Sequence, residues 1–239
     1  PIINLLGIDS SESIQAIIAV TGEAEEGHYL FFTTRQGTVK RTSVTAFANI
    51  RSNGLIAIGL KEDDELVIVL LSDGISNIII GTHNGYSVTF KEEAVLDMGR
   101  TASGVRGIRL REEDYVVGAA LMKENQEVLV ITEKGYGKRT KVSEYPVKGR
   151  GGKGIKTANI TEKNGPLAGL TTVSGDEDIM LITDKGVIIR FNVSTVSQTG
   201  RSTLGVRLMK MEADTKVVTM AAVEPEAAEQ TVEEQGSEE

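Results

Sequence analysis

Short apolar runs, separated by polar turns that contain glycine, recur along most of the chain. The strongest runs are apolar at every position, as in Leu30–Phe32, Ile78–Ile80, Leu129–Ile131 and Met180–Ile182. Continuous runs of this length are typical of strands that are covered on both faces. Long amphipathic helical periods are absent, and a short helical turn is expected near Glu92–Leu96. The pattern therefore predicts an all-β fold.

The apolar runs repeat with a period of about 50 residues. In each module a glycine follows a threonine by three residues, and these glycines lie 48, 50 and 51 residues apart. A second glycine opens another apolar stretch, at spacings of 50, 50 and 51 residues. The two sets are Gly37, Gly85, Gly135 and Gly186, and Gly54, Gly104, Gly154 and Gly205. Each module holds four short strands, which is typical of a propeller blade.

The fold class that we predict is a β-propeller-like disc of four-stranded antiparallel blades. We place the blades at residues 21–73, 74–123, 124–174 and 175–223. Residues 1–20 match only the closing strands of a module, because Pro1–Leu6 aligns with Arg106–Arg111. We therefore expect an incomplete set of about four blades plus a partial one, with the first half of the partial blade upstream of Pro1. Whether blades exchange strands is left open by the sequence.

Composition and charge exclude several kinds of site and of protein. The chain has 239 residues, no Cys and only two His, which excludes disulfides and thiolate metal sites. No apolar stretch is long enough for a membrane helix and no signal peptide is visible, so we expect a cytoplasmic protein. Residues 224–239 hold seven acids and no base, so they carry most of the net charge of −8. This tail is expected to be disordered, either as a solubiliser or as an internal mimic of a polyanion.

Catalytic motifs are missing from the sequence. It contains no phosphate-binding P-loop, no dinucleotide-binding fingerprint and no nucleophile elbow. His28 and His83 have no Ser, Cys or acid beside them in repeated register, and most carboxylates fall in hairpin turns. We therefore expect no catalytic residue, no metal and no cofactor in this chain.

Basic residues, in contrast, recur at equivalent positions of the modules. They lie three or four positions after the first glycine, just before the second glycine and two positions after it. Equivalent positions of successive blades lie at equivalent radius and height, so these bases predict a positive belt that follows a DNA backbone without reading bases. The alternative is a set of ordinary solvated charges that pair with nearby acids. The predicted DNA-binding residues are Lys40, Arg41, Arg51, Arg100, Arg106, Lys138, Arg139, Lys148, Arg150, Lys153, Lys156, Arg190, Arg201 and Arg207.

The third module carries the densest positive patch. Between Gly135 and Lys156, seven bases are opposed by a single acid, Glu144. At its centre lies Lys148–Gly154, with the sequence Lys-Gly-Arg-Gly-Gly-Lys-Gly, here called the box-like loop. Glycines allow backbone N–H groups to approach a phosphate closely, and the bases supply charge. We predict phosphate contact at this loop.

These motifs resemble the C-terminal domain of the bacterial DNA gyrase A protein. The resemblance runs from residue 1 to about 223 and rests on several segments. They are Pro1–Leu6, Gly37–Arg41, Met98–Leu110, Lys134–Thr140, Arg150–Gly154 and Gly200–Arg207. The resemblance implies a six-bladed β-pinwheel that exchanges strands between blades and wraps duplex DNA around a basic outer rim. It also implies partners, the rest of gyrase A and the gyrase B protein, which use ATP to introduce negative supercoils and carry the cleaving tyrosine.

The chain departs from that family in one motif. The family's signature box reads Q-R-R-G-G-K-G in the first blade, whereas Lys148–Gly154 matches five of its seven positions and falls in what should be the fifth blade. Three other classes stay open. They are the C-terminal domain of the topoisomerase IV A protein, a protein-binding propeller scaffold, and a propeller enzyme with polar groups around its central channel.

Overall fold

A computed structural model of the chain describes residues 14–18, 27–48, 54–212 and 214–225. The all-β prediction is confirmed, with fifteen strands and four short 3₁₀ turns at Val44–Phe47, Glu92–Ala94, Val142–Glu144 and Val193–Thr195 in the described part. The predicted alignment of Pro1–Leu6, the base Arg51 and nearly all of the acidic tail lie outside the described residues. No helix among the described residues is long and apolar enough to span a membrane.

The strands form four antiparallel sheets, which we number as blades 1 to 4. Blade 1 has the strand order β3-β1-β2-β6, blade 2 β10-β5-β4-β7, blade 3 β11-β8-β9-β14 and blade 4 β13-β12-β15. The strand bounds are β1 Tyr29–Thr34, β2 Thr38–Ser43, β3 Leu66–Ser72, β4 Asn77–Thr82, β5 Tyr86–Lys91, β6 Val105–Arg106, β7 Val116–Met122, β8 Glu127–Thr132, β9 Tyr136–Lys141, β10 Ile155–Lys156, β11 Leu167–Val173, β12 Asp178–Thr183, β13 Ile188–Asn192, β14 Val206–Arg207 and β15 Val217–Val223.

Neighbouring blades exchange strands, which settles the question that the sequence left open. The short strand β6 belongs to the second repeat but pairs with β2 of blade 1, with Thr38 opposite Arg106. In the same way β10 pairs with β5 and β14 pairs with β9. Each of the first three sheets is therefore completed by a strand from the repeat that follows it.

The threonine and glycine of the repeat signature build the first turn of each blade. In blade 1 the Thr34 hydroxyl accepts a hydrogen bond from the Thr38 N–H at 3.1 Å, and the Gly37 N–H donates to the Thr34 carbonyl at 3.0 Å. Gly37 has φ +79°, and a Cβ there would lie 2.7 Å from Ile108 Cγ2. Positive φ and the close neighbour both require glycine at this position.

The hydrophobic core lies between successive blades. In β4, Ile78 and Ile80 pack with residues of blade 1, whereas Ile79 packs with residues of blade 3. In β8, Val130 faces blade 2 and Ile131 faces blade 4. This alternation confirms that the leading strands are covered on both faces, and it explains why these runs are apolar at every position.

The inner strands of the blades meet around a common axis. Strands β3, β7, β11 and β15 pack against one another in that order and line a central cavity of about 750 Å³. Backbone hydrogen bonds also join neighbouring blades here, from the Val116 N–H to the Arg35 carbonyl and from the Leu167 N–H to the His83 carbonyl, both at 2.9 Å. The exchanged strands β6, β10 and β14 lie at the opposite edge of their sheets. They therefore form the outer edge of the propeller.

Candidate nucleic-acid interface

Three equivalent loops run along the outer edge, and we call them the rim loops. They comprise residues 98–104, 148–154 and 199–205, and each leads into an exchanged strand. The first residue of the second rim loop donates its N–H to the Thr89 carbonyl of β5 at 2.8 Å, and the other two loops dock on Arg41 and Arg139 in the same way. Each rim loop is therefore fixed on the blade that precedes its own repeat.

The last glycine of each rim loop lets the backbone approach the preceding blade. Gly154 has φ +72°, and a Cβ there would lie 2.5 Å from the Ser87 carbonyl oxygen. Gly104 and Gly205 also have positive φ and lie equally close to Val39 and Gly137. These are the repeated second glycines of the sequence, and their spacing reflects this close backbone approach.

Half of the predicted DNA-binding residues are exposed on this edge. They are Arg106, Lys148, Arg150, Lys153, Lys156, Arg190 and Arg207. Of these, all except Arg190 lie on the rim loops or on the exchanged strands that follow them. The structure thus brings together the bases that flank the second glycine of each repeat.

Arginines link the rim loops in series. Arg150 donates from Nε to the Ala94 carbonyl at 2.9 Å and from Nη1 to the Arg106 carbonyl at 3.1 Å. Arg201 donates to the Lys156 carbonyl at 2.6 Å, which is the equivalent contact one blade further on. Arg150 and Arg201 thereby each reach the exchanged strand of the preceding repeat, which places the second and third rim loops beside that strand.

The structure excludes two predicted residues from this surface. Lys40 and Lys138 are 0% and 1% exposed, because strand alternation turns them toward the neighbouring blade. The Lys40 ammonium donates to the carbonyls of Ala57 and Arg100, and the Lys138 ammonium to those of Gly200 and Arg201. Both lysines hold rim-loop carbonyls in place, so the repeat position that we interpreted as a phosphate contact is a structural one.

Burial also affects the ionisation of these lysines. Burial, with a smaller repulsion from the Arg100 guanidinium, lowers the pKa of Lys40 to about 8. Burial likewise lowers the pKa of Lys138 to about 8, opposed in part by Glu144. A lysine with a lowered pKa in this setting reflects removal from water rather than a catalytic role.

The arginines Arg41, Arg139 and Arg190, four positions after the first glycine of their repeats, also have protein partners. Arg139 pairs with Glu127 at 2.7 Å, and Arg190 pairs with Asp178 at 2.8 Å. Arg41 lies 4.4 Å from the centre of the Tyr29 ring and donates to the Gly74 carbonyl at 3.1 Å. For this repeat position the contacts support the alternative of bases paired within the protein.

Two further arginines belong to the surface but were missed by the repeat analysis. Arg109 is exposed beside the box-like loop and donates its N–H to the Gly152 carbonyl at 2.8 Å. Arg111 stacks on Tyr86 at 3.3 Å from the ring centre and donates to the Lys153 carbonyl at 2.5 Å. Counted from the second glycine, each position holds a base in only one other module, Lys210 for Arg109 and Lys61 for Arg111, so a search for bases shared by most modules did not select them. Their proximity arises from strand exchange.

Several acidic side chains lie in hairpin turns, where they accept hydrogen bonds from backbone N–H groups. Asp64 accepts from the Gln36 N–H at 2.9 Å, and Asp114 accepts from the Asn84 N–H at 2.9 Å. These carboxylates hold the first hairpin turns, which lie at the ends of the inner strands. No group of three or more potential metal ligands occurs within the part of the chain that the structure describes. Glu144 is an exception, since it accepts from the Arg201 N–H of the third rim loop at 3.0 Å.

Fold and surface together define a strand-exchanged β-propeller whose outer edge is basic. The family model of the DNA gyrase C-terminal domain, a beta-propeller, matches residues 28–73, 76–121, 126–174 and 177–224. The DNA gyrase A protein of Streptococcus pyogenes serotype M3 is 68% identical over 226 residues, which cover 95% of this chain and 27% of that relative. The chain thus spans about a quarter of the length of the curated relatives that it matches.

Solved structures agree with this assignment. The C-terminal domain of DNA topoisomerase IV matches with a TM-score of 0.86 at 30% identity, covering 93% of this chain and 70% of that one. A DNA gyrase A C-terminal domain matches with a TM-score of 0.82 at 26% identity, covering 92% and 74%. The chain belongs to the DNA gyrase C-terminal domain family, and the resemblance inferred from the sequence is confirmed.

Proposed function

We propose that this chain is a non-catalytic DNA-binding domain whose outer edge follows the backbone of duplex DNA. The observation that carries the proposal is the series of exposed bases on the box-like loop and on the exchanged strands, where Arg106, Lys156 and Arg207 hold equivalent positions. The contacts of Arg150 and Arg201 bring neighbouring parts of this series together. A surface with this repeat offers positive charge at regular intervals, which suits phosphates rather than base edges. The few aromatic residues, 4% of the chain, disfavour stacking on single strands.

Electrostatics supply the affinity in this mechanism. Each phosphate neutralised by a rim arginine or lysine releases counterions, so binding weakens steeply as salt rises. Following a curved edge also bends the duplex, and bending a site of tens of base pairs costs about 1–6 kcal/mol. Several simultaneous phosphate contacts must offset this cost. We therefore place the contacts on more than one rim loop, with the box-like loop contributing the largest share of charge.

The longer protein extends this role. In a complete gyrase A protein, a domain that curves DNA along its edge presents a wrapped segment to the part that cleaves DNA. We propose that this chain supports ATP-dependent negative supercoiling in that way, with the rest of gyrase A and the gyrase B protein as partners in the cytoplasm. The cleaving tyrosine and the ATPase are assigned to those other parts, and no cofactor is assigned to this chain.

Binding to a linear duplex across a salt series tests the proposal. We expect affinity to be independent of sequence and to fall linearly with salt on logarithmic axes. Arg150→Ala with Lys153→Ala should weaken binding to every sequence. The matched control is Lys61→Ala with Lys123→Ala, which removes the same charge from exposed turns outside the rim loops and the exchanged strands. Equal losses in the two double variants would show attraction by net charge alone and would contradict an interface at the rim.

A further inference from the structure

Each rim loop lies beside a segment of the preceding repeat, the one that begins at the exchanged strand or its equivalent, and we call each such pair of segments a seam. Seam 1 joins residues 56–61 to 98–104, seam 2 joins 106–111 to 148–154, and seam 3 joins 156–161 to 199–205. One equivalent N–H to carbonyl hydrogen bond marks all three. It runs from Gly59 to Ala102 at 3.1 Å, from Arg109 to Gly152 at 2.8 Å and from Asn159 to Thr203 at 3.1 Å. The seams therefore share a backbone arrangement and can be compared directly.

Charge separates seam 2 from the other two. Seams 1 and 3 each contain two basic residues, Lys61 with Arg100 and Lys156 with Arg201, whereas seam 2 contains six. The six are Arg106, Arg109, Arg111, Lys148, Arg150 and Lys153. None of the three seams contains an acidic residue. The larger positive charge of seam 2 is therefore a property of its side chains and not of a different backbone.

The bases of seam 2 come from two repeats and are held side by side. Arg150 Nη1 donates to the Arg106 carbonyl at 3.1 Å, and the Arg106 Cδ would lie 3.9 Å from a Cβ on Gly151. Arg111 donates to the Lys153 carbonyl at 2.5 Å. Among the described residues, none of these basic side chains forms an ion pair with an acid. Like charges that lie side by side without an opposite charge destabilise the contact that brings them together.

The surface of seam 2 suits an oxyanion. Gly152 and Lys153 are exposed, and their N–H groups donate to no acceptor among the described residues. Backbone N–H groups of glycine-rich turns bind anions, and guanidinium groups donate paired hydrogen bonds to phosphate oxygens. A bound phosphate would therefore supply the negative charge that seam 2 lacks.

We propose that seam 2 is a phosphate-binding junction whose stability depends on its ligand. In the free chain its six bases repel one another, and backbone hydrogen bonds hold the seam against that repulsion. Bound phosphate groups neutralise bases of both segments at once and so join repeat 2 to repeat 3. The ligand that we assign is a pair of adjacent phosphates of a DNA backbone, and this identity rests on the proposed function.

Thermal unfolding of the whole chain at low salt tests the repulsion. Arg109→Gln with Lys153→Gln should raise the Tm by about 2–4 °C, because two of the six like charges are removed. The rise should vanish at about 1 M salt, where the Debye length is about 3 Å. A Tm that falls or stays the same in this seam variant at low salt would overturn the proposal.

The matched control for the seam variant is Lys123→Gln with Lys163→Gln, two exposed lysines outside the seams. The chain has a net charge of −8, so the loss of any two bases makes its net charge more negative. Self-repulsion of the whole chain therefore predicts no rise in Tm for the control. A rise of equal size in both variants would contradict a repulsion that is local to seam 2.

Inorganic tripolyphosphate tests anion binding without nucleic acid. It should raise the Tm of the parent chain and of the control by about 2–4 °C when present at about five times its Kd. The seam variant should lose most of this response. Equal responses in all three proteins would place the bound anion elsewhere and would refute the junction.

Hydrogen exchange in the presence of a short duplex tests the assigned ligand. The duplex should slow exchange in residues 106–111 and 148–154 more than in the segments of seams 1 and 3. A duplex that binds but leaves exchange in seam 2 unchanged would overturn DNA as the ligand of this junction. Failure of the duplex to bind at all would contradict the proposed function and the ligand identity together, whereas the tripolyphosphate result tests the junction by itself.

Discussion

The box-like loop and the rim loop of residues 199–205 share one backbone design but carry different side chains. Both dock on the preceding blade through their first residue and end at a glycine of positive φ. Beneath the loop of residues 199–205 lies Lys138, and Glu144 accepts from the Arg201 N–H at 3.0 Å. The charged groups at this loop therefore have partners inside the protein. The box-like loop instead exposes Lys148, Arg150 and Lys153. The repeat thus gives the rim loops a common backbone conformation, and the box-like loop is the one that presents its basic side chains to solvent.

A substitution that disturbs the shared backbone conformation should have the largest effect on the free energy of unfolding. Gly154→Ala should cost about 2–4 kcal/mol, because it adds a positive-φ penalty to a Cβ at 2.5 Å from the Ser87 carbonyl. Gly152→Ala, whose Cβ would have no atom closer than 4.0 Å, should stay within about 0.5 kcal/mol. Urea unfolding of the two variants measures the difference, and similar losses would show that the close approach at Gly154 is not needed.

The buried lysine gives the next largest effect. Lys138→Met should destabilise the chain by about 1–3 kcal/mol, because it removes the donor to the Arg201 carbonyl and one of the donors to the Gly200 carbonyl. Lys148→Met, on the exposed loop, should change the free energy of unfolding by less than about 0.5 kcal/mol. Equal effects would remove the distinction between an anchoring and a surface lysine.

The salt dependence of DNA binding sharpens the same contrast. Arg150→Ala with Lys153→Ala should lower the slope of log affinity against log salt by about 2, since two phosphate contacts are lost. Arg201→Ala should lower it by about 1 at most, because this side chain is half-buried and donates to the Lys156 carbonyl. Fluorescence anisotropy with a labelled duplex gives both slopes, and a larger change for Arg201→Ala would reverse the assignment.

The pH dependence of stability provides the smallest effect. Lys138 has its pKa lowered to about 8, whereas in the unfolded chain it stays near 10.5. Between these values the unfolded state binds more protons, so the stability of the parent chain relative to Lys138→Met should rise with pH, by at most about 1.4 kcal/mol per unit. Urea titrations at roughly pH 7, 8 and 9 follow this rise. A relative stability that falls over the same range would contradict the burial of this ammonium.

Periodicity predicted the features that depend on backbone geometry. The two glycine sets mark positive φ and close approach, and these are demanded by every blade, so Gly37 and Gly154 stand out in the sequence. Periodicity did not predict the burial of Lys40 and Lys138. Equivalent repeat positions share a radius and a height in the fold, but the repeat alone does not say toward which face of the strand a side chain points. Their cross-strand partners Phe32 and Val130 are buried, and this two-residue alternation was the signal that pointed inward. Arg109 and Arg111 were missed because each position holds a base in only one other module, and because strand exchange brings them beside the loop of another module.

Strand exchange also has a consequence for how the chain folds. The sheet of blade 1 is complete only when Val39 pairs with Val105 and Thr38 with Arg106, contacts between residues far apart along the chain. A nascent chain on the ribosome cannot close that sheet until Arg106 has emerged, and each later sheet waits for the following repeat in the same way. Contacts of such long range slow folding and couple the blades, so we expect repeats 1 to 4 to unfold as one cooperative unit rather than one at a time.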